Sequence, residues 1–91
     1  MSPENRDFSS WEYTGHFLTP RQAEIFDKIL LGQGSQAIAG ELDISLASVK
    51  SARRSIRDKI ERETGIKPKD MLDMLSALIQ MGEVSYNPKK T

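Results

Sequence analysis

The chain has 91 residues, of which 37% are hydrophobic and 29% charged, with no cysteine and a formal net charge of zero. That length suits one compact domain with one small core, and the balance of apolar and charged residues is that of a globular chain. The missing cysteine excludes disulfides, thiolate zinc sites and thiol nucleophiles, while the polar start at Met1–Asp7 and the lack of a long apolar run argue against a signal peptide and a membrane helix, so a cytoplasmic protein with no membrane partner is expected.

Residues 1–17 carry no helical periodicity but hold Phe8, Trp11, Tyr13 and Phe17. Those are too many aromatics for a solvated tail, so part of this N-terminal aromatic arm is expected to pack on the domain. A domain over residues 18–82 follows. Thr19, Pro20 and Gln22 spell a capped helix start, the apolar positions Ile25, Phe26, Ile29 and Leu30 recur at helical spacing, and Gly32 and Gly34 end a first helix near residue 31. A short second helix runs from Ser35 or Gln36 to Leu42, and Asp43–Ser45 make a turn. Ser45 can cap a third helix reaching Thr64, with Gly65 at its left-handed end. At about 100° per residue, Val49, Ala52, Ile56 and Ile60 share one face of that helix, and Lys50, Arg54 and Arg57 cluster on the solvent side. A fourth helix is expected from Pro68 to Gly82. The polar tail 83–91, with Lys89 and Lys90, is expected to fray. The fold class is all-α, four helices with an aromatic arm.

The zero net charge conceals an asymmetry. Residues 1–45 hold seven acids against three bases and residues 46–91 ten bases against six acids, formal charges of −4 and +4. The bases crowd into Lys50, Arg53, Arg54, Arg57 and Lys59, with Asp58 the one acid among them. Two helices joined by a tight turn, the second with a basic outer face, are the parts of a DNA-reading helix-turn-helix, in which cations meet phosphates and a few side chains reach base edges. A charged stripe is by itself more often a solvated face. Enzyme chemistry finds no footing: His16 is the only histidine, no serine sits in a nucleophile elbow, and Gly32-Gln33-Gly34 lacks the lysine of a phosphate loop. No catalytic residue, metal or cofactor is expected.

The order of residues adds to this. Leu18, Thr19, Pro20, Arg21, Gln22, Ala23, Glu24, Ile25 and Phe26 resemble the pattern L-T-x-R-E-x-E-V-L, and Gly32, Ile38, Ala39, Leu42, Ile44 and Ser45 fall on G-x-S-N-K-E-I-A-x-x-L-x-I-S. Ser48, Val49, Lys50, Ala52, Ser55, Ile56, Lys59 and Ile60 align with T-V-K-x-H-x-x-N-I-x-x-K-L, and no gap is needed between Leu18 and Ile60. These are the motifs of the LuxR-type, GerE-like helix-turn-helix DNA-binding domain, which the chain resembles as a stand-alone unit. The departures are Gln22 for a glutamate, Gly34–Ala37 for Ser-Asn-Lys-Glu, and Ala52 for a histidine. The fourth region of a sigma factor shares the helical grammar, but the L-T-P-R opening and the short turn look more LuxR-like. The resemblance implies that Lys50, Ser51 and Arg54 face the groove. Arg57 adds a phosphate contact, Ser48 completes the DNA-binding set, and Arg53, near the apolar edge, is expected to be structural.

The fourth helix carries Met71, Leu72, Met74, Leu75, Leu78, Ile79 and Met81, a stripe broader than two neighbouring helices would cover. A second copy is the simplest cover, with Met74, Leu78 and Met81 at the dimer interface. The expected function is that of a sequence-specific transcription regulator acting as a homodimer on double-stranded DNA, with another transcription regulator or RNA polymerase as a further partner. The alternative is an interaction module, an anti-activator that sequesters another regulator through the fourth helix or the aromatic arm.

Overall fold

The computed structural model describes residues 8–88. Met1–Asp7 and the tail lysines Lys89 and Lys90 lie outside the described residues. In chain order the elements are β1 (Trp11–Tyr13), α1 (Pro20–Leu30), α2 (Ser35–Leu42), α3 (Leu46–Thr64), α4 (Met71–Gln80) and β2 (Val84–Tyr86). The architecture is the expected mostly helical one, with a small addition: β1 and β2 pair antiparallel, Trp11 opposite Tyr86 and Tyr13 opposite Val84.

Local chemistry sets the helix ends. Thr19 accepts from the Gln22 amide at 3.2 Å while the Gln22 side chain accepts from the Thr19 amide at 3.1 Å, a reciprocal cap that starts α1. Asp43 ends α2 in the left-handed region at φ 56°, and its neighbour Ser45 caps α3 by accepting from the Ser48 amide at 3.0 Å. Gly65, at φ 79°, ends α3, where a side chain would be strained. The start of α4 differs from expectation. Pro68 is buried ahead of the helix, and Asp70 is the cap because its carboxylate accepts from the Asp73 amide at 2.9 Å.

The helices share two buried clusters. Ile25 and Ile29 of α1 meet Ile38 and Ala39 of α2 and Val49 of α3, which fixes the α2–α3 angle. On its other side α1 sends Phe26 and Leu30 against Ile56 and Ile60 of α3 and Met74, Leu75 and Leu78 of α4, with Leu18 and Val84 closing the cluster. Because α1 is apolar on two faces, it braces the helix-turn-helix from behind and carries α4 at the same time.

Two expectations are corrected here. The tail does not fray as a whole, since Val84–Tyr86 form a strand and Val84 is buried. Nor are Met74 and Leu78 available to a second copy: they are 3% and 0% exposed inside the monomer, and Met81 is partly buried against the same cluster. The stripe on α4 is broad because it has a third cover beyond α1 and α3, namely the aromatic arm and the two-stranded ribbon, with Phe8, Trp11, Tyr13 and Phe17 packed on that cluster. What α4 leaves exposed is Leu72 and Ile79, 40% each.

The ribbon is tied down by Glu83. Its carbonyl accepts from the Thr14 and Gly15 amides at 3.0 Å, and its carboxylate accepts from the Tyr13 hydroxyl and the Phe17 amide, both at 2.7 Å. Gly15 leaves room for this approach, because a Cβ there would run into the carboxylate. The Tyr13 hydroxyl also accepts from the Leu18 amide at 2.7 Å, so the arm is fixed up to the first residue of the domain. Among the described residues no helix is long and apolar enough to cross a membrane.

Candidate nucleic-acid interface

The longest helix, α3, presents the candidate surface. Its inward face is fixed by Val49, Ile56 and Ile60, each fully buried. With that face anchored, Lys50, Ser51 and Arg54 are exposed on the outward side, and Ser48 is exposed at the first turn. Neither Lys50 nor Arg54 has an ion pair or hydrogen bond among the described residues, so both cations are free to meet an anion. The turn that aims this helix is short: the Asp43 and Ile44 amides both bond to the Ala39 carbonyl, and the helix begins two residues later.

The remaining bases divide by environment. Arg57 is half-buried, and its Nε is buried without a hydrogen-bond partner among the described residues, so it keeps donors unused. Arg53 is half-buried and donates to the Ser35 hydroxyl at 3.1 Å, which ties α3 to the first residue of α2 in the structural role its place near the apolar edge implied. Lys59 donates to the Phe17 carbonyl at 3.1 Å and the Gln22 side chain at 3.0 Å, with the Phe17 ring centroid 5.7 Å away. It is a brace between α3 and the start of α1. All three of its partners are neutral, because Gln22 stands where the resemblance has a glutamate.

Helix α2 is held against α1 by Lys28 and Glu41, paired at 2.6 Å, and the hydrogen bond from Lys28 is the largest cause holding the Glu41 carboxyl below the usual carboxylate range. Beside α3, on the flank away from α2, an open groove of about 480 Å³ is lined by Thr19, Arg21 and Gln22 of the α1 start and by Ser48, Ser51 and Ser55 of α3, with Ala47 and Ala52 between them. Sequence reasoning missed Arg21 as a member of this surface, since its place across from α3 depends on how the two helices cross. Among the described residues no group of three or more His, Asp or Glu is placed to hold a metal ion.

Comparison with known proteins agrees with this geometry. The GerE family model, described as bacterial regulatory proteins of the luxR family, matches residues 16–64, more than half of the chain and the whole of α1, α2 and α3. No curated protein and no solved structure matches. The match ends where α3 ends, so α4 and the ribbon lie outside it.

Proposed function

We propose that this chain, which belongs to the luxR family of bacterial regulatory proteins, controls transcription in the cytoplasm as a homodimer whose two copies of α3 read inverted half-sites in double-stranded DNA. Family membership makes it a helix-turn-helix DNA-binding regulator. The finer reading rests above all on one observation, that Lys50 and Arg54 stand exposed, and unpaired among the described residues, on the outward face of a helix whose inward face is fully locked. Such cations supply phosphate neutralisation and bidentate contacts to guanine edges. Ser51 and Ser48 add hydroxyls to the same face, and Arg57 contacts phosphate with the donors its burial leaves over.

Leu72, Ser76 and Ile79 support dimerisation, since they follow one side of α4 at i, i+4 and i+7 and are all exposed. A strip with two exposed aliphatic side chains about a small serine suits a two-fold axis, which would hold the two reading helices about 34 Å apart, one turn of DNA. Selection of bound sequences from random duplexes, with the mass of the complex measured by sedimentation, tests both parts. Enrichment of an inverted repeat spaced by one turn and a mass of two chains per duplex are expected. A chain that stays monomeric at tens of micromolar with and without DNA would contradict the dimer.

A second reading, sequestration of another regulator, is favoured by the zero net charge and by the exposed Tyr86 stacked edge-on against Trp11 with centroids 5.2 Å apart. A chain that selects no sequence but still regulates would bear that reading out.

A further inference from the structure

A helix lying in the major groove has a sugar-phosphate backbone on either side of it, because the groove is only about 12 Å wide. The outward face of α3 is not equally equipped on its two sides. At about 100° per residue, Lys50, Arg54 and Arg57 fall within an arc of about 60°, and Ser51, Ser55 and Ser48 fall within the adjoining arc of similar width. One edge of the helix is therefore basic, while the hydroxyl edge has no cation over the first three turns of α3: further along that side Lys59 is committed to the Phe17 carbonyl and Gln22, and Arg62 lies in the last turn. The hydroxyl edge is the bank of the open groove whose other bank is the start of α1.

Building on the DNA-reading role proposed above, we infer that this groove holds the second phosphate backbone and that Arg21 supplies the positive charge that the first three turns of α3 lack on that side. Its neighbours are committed elsewhere. Thr19 and Gln22 close the reciprocal cap on each other, and Gln22 also accepts from Lys59. Among the described residues Arg21 is held only by Glu24, at 3.6 Å, with both side chains about half exposed at 54% and 51%. An exposed pair of that kind is weak and is readily exchanged for phosphate, whose geometry suits the guanidinium fork. Ala47 and Ala52 keep the groove open between the two banks. The hydroxyls are placed to donate: Ser48 accepts from Ser45 at 2.8 Å in one arrangement of that pair and keeps its own proton, and Ser51 is exposed at the rim.

The full chain is titrated into a fluorescent duplex carrying its selected sequence over a range of salt, as wild type, Arg21→Gln, Arg21→Lys and Lys50→Ala. Arg21→Gln is expected to weaken binding to all duplexes alike and to flatten the slope of log affinity against log salt by about 0.9, the signature of one lost phosphate contact. Arg21→Lys should keep most of that slope. Circular dichroism should show both variants folded as wild type, since Arg21 is exposed. If Arg21→Gln keeps the wild-type affinity and slope while Lys50→Ala loses affinity, the groove holds no backbone and the role of α3 stands. If wild type binds no duplex at all, the DNA-reading role falls and this inference falls with it.

Discussion

Replacing Glu83 with Gln removes the charge that pins the ribbon to the helical body while keeping the shape of the side chain. In the wild type one carboxylate oxygen accepts from the Tyr13 hydroxyl and from the Phe17 amide, both at 2.7 Å. Hydrogen bonds to a charged group contribute roughly 1.5–3 kcal/mol each and neutral ones about 0.5–1.5. Two downgraded bonds at a half-buried site give a loss of about 1–2 kcal/mol. For a domain of this size that lowers Tm by roughly 4–16 °C. The pH dependence makes the test specific. The Tyr13 hydroxyl first, and then the Phe17 and His16 amides, hold the Glu83 carboxyl below the usual carboxylate range, against the opposing effect of burial. A depressed carboxyl stabilises the fold fully above its unfolded value, about 4.3, and loses that contribution as pH falls through the folded value. Thermal melts followed by circular dichroism, with Trp11 fluorescence reporting the ribbon, should show the gap between wild type and Glu83→Gln at pH 7 and its shrinkage at pH 3. A variant that melts within 1 °C of wild type at pH 7, taken as about the precision of such a melt against the ~4 °C minimum above, would refute the reasoning, as would a gap that persists unchanged at pH 3.

Arg54→Ala and Lys50→Ala should each lower specific DNA affinity by roughly 1–3 kcal/mol, read by anisotropy, with a base contact relaxing preference at one position and a phosphate contact flattening the salt dependence. Gln22→Glu should raise Tm by a few degrees, because it keeps the reciprocal cap and gives Lys59 a charged partner in place of a neutral one. Ile79→Asp should lower the dimer fraction in sedimentation and leave the melt of the monomer nearly unchanged, whereas Leu78→Asp, which puts a carboxylate at a fully buried position, should unfold the chain. Raising pH past about 10 should destabilise the ribbon, since burial first of all pushes the Tyr13 hydroxyl above its ordinary value and the unfolded chain ionises sooner.

Helix ends were legible wherever the signal was local. Thr19 with Gln22, Ser45 and Gly65 each act within one turn, so α1 and α3 start, and α3 ends, where their caps imply. Pro68 misled because two start signals compete within three residues, and the Asp70 carboxylate makes the bond that decides. The strand Val84–Tyr86 was illegible for a different reason. Three residues carry too little periodicity, and its partner lies some seventy residues away in the chain. The outward projection of Lys50 and Arg54 follows from helical period alone and could be read directly. What a side chain packs against could not. Met74 and Leu78 look alike whether a ribbon or a second copy covers them, and Arg21 joins the surface of α3 only through the crossing of two helices.

The central claim is that the outward face of α3 enters the major groove, and the chain offers a clean way to test it because it contains no cysteine. Ser51→Cys, on that exposed face, can carry a tethered iron chelate that generates hydroxyl radicals, and Ser85→Cys, exposed on β2, carries the same probe as a control. Ser51 is expected to cut the selected duplex at one cluster of nucleotides inside each half-site, with no cutting of that pattern from Ser85. Cutting from Ser85 with none from Ser51 would contradict the account.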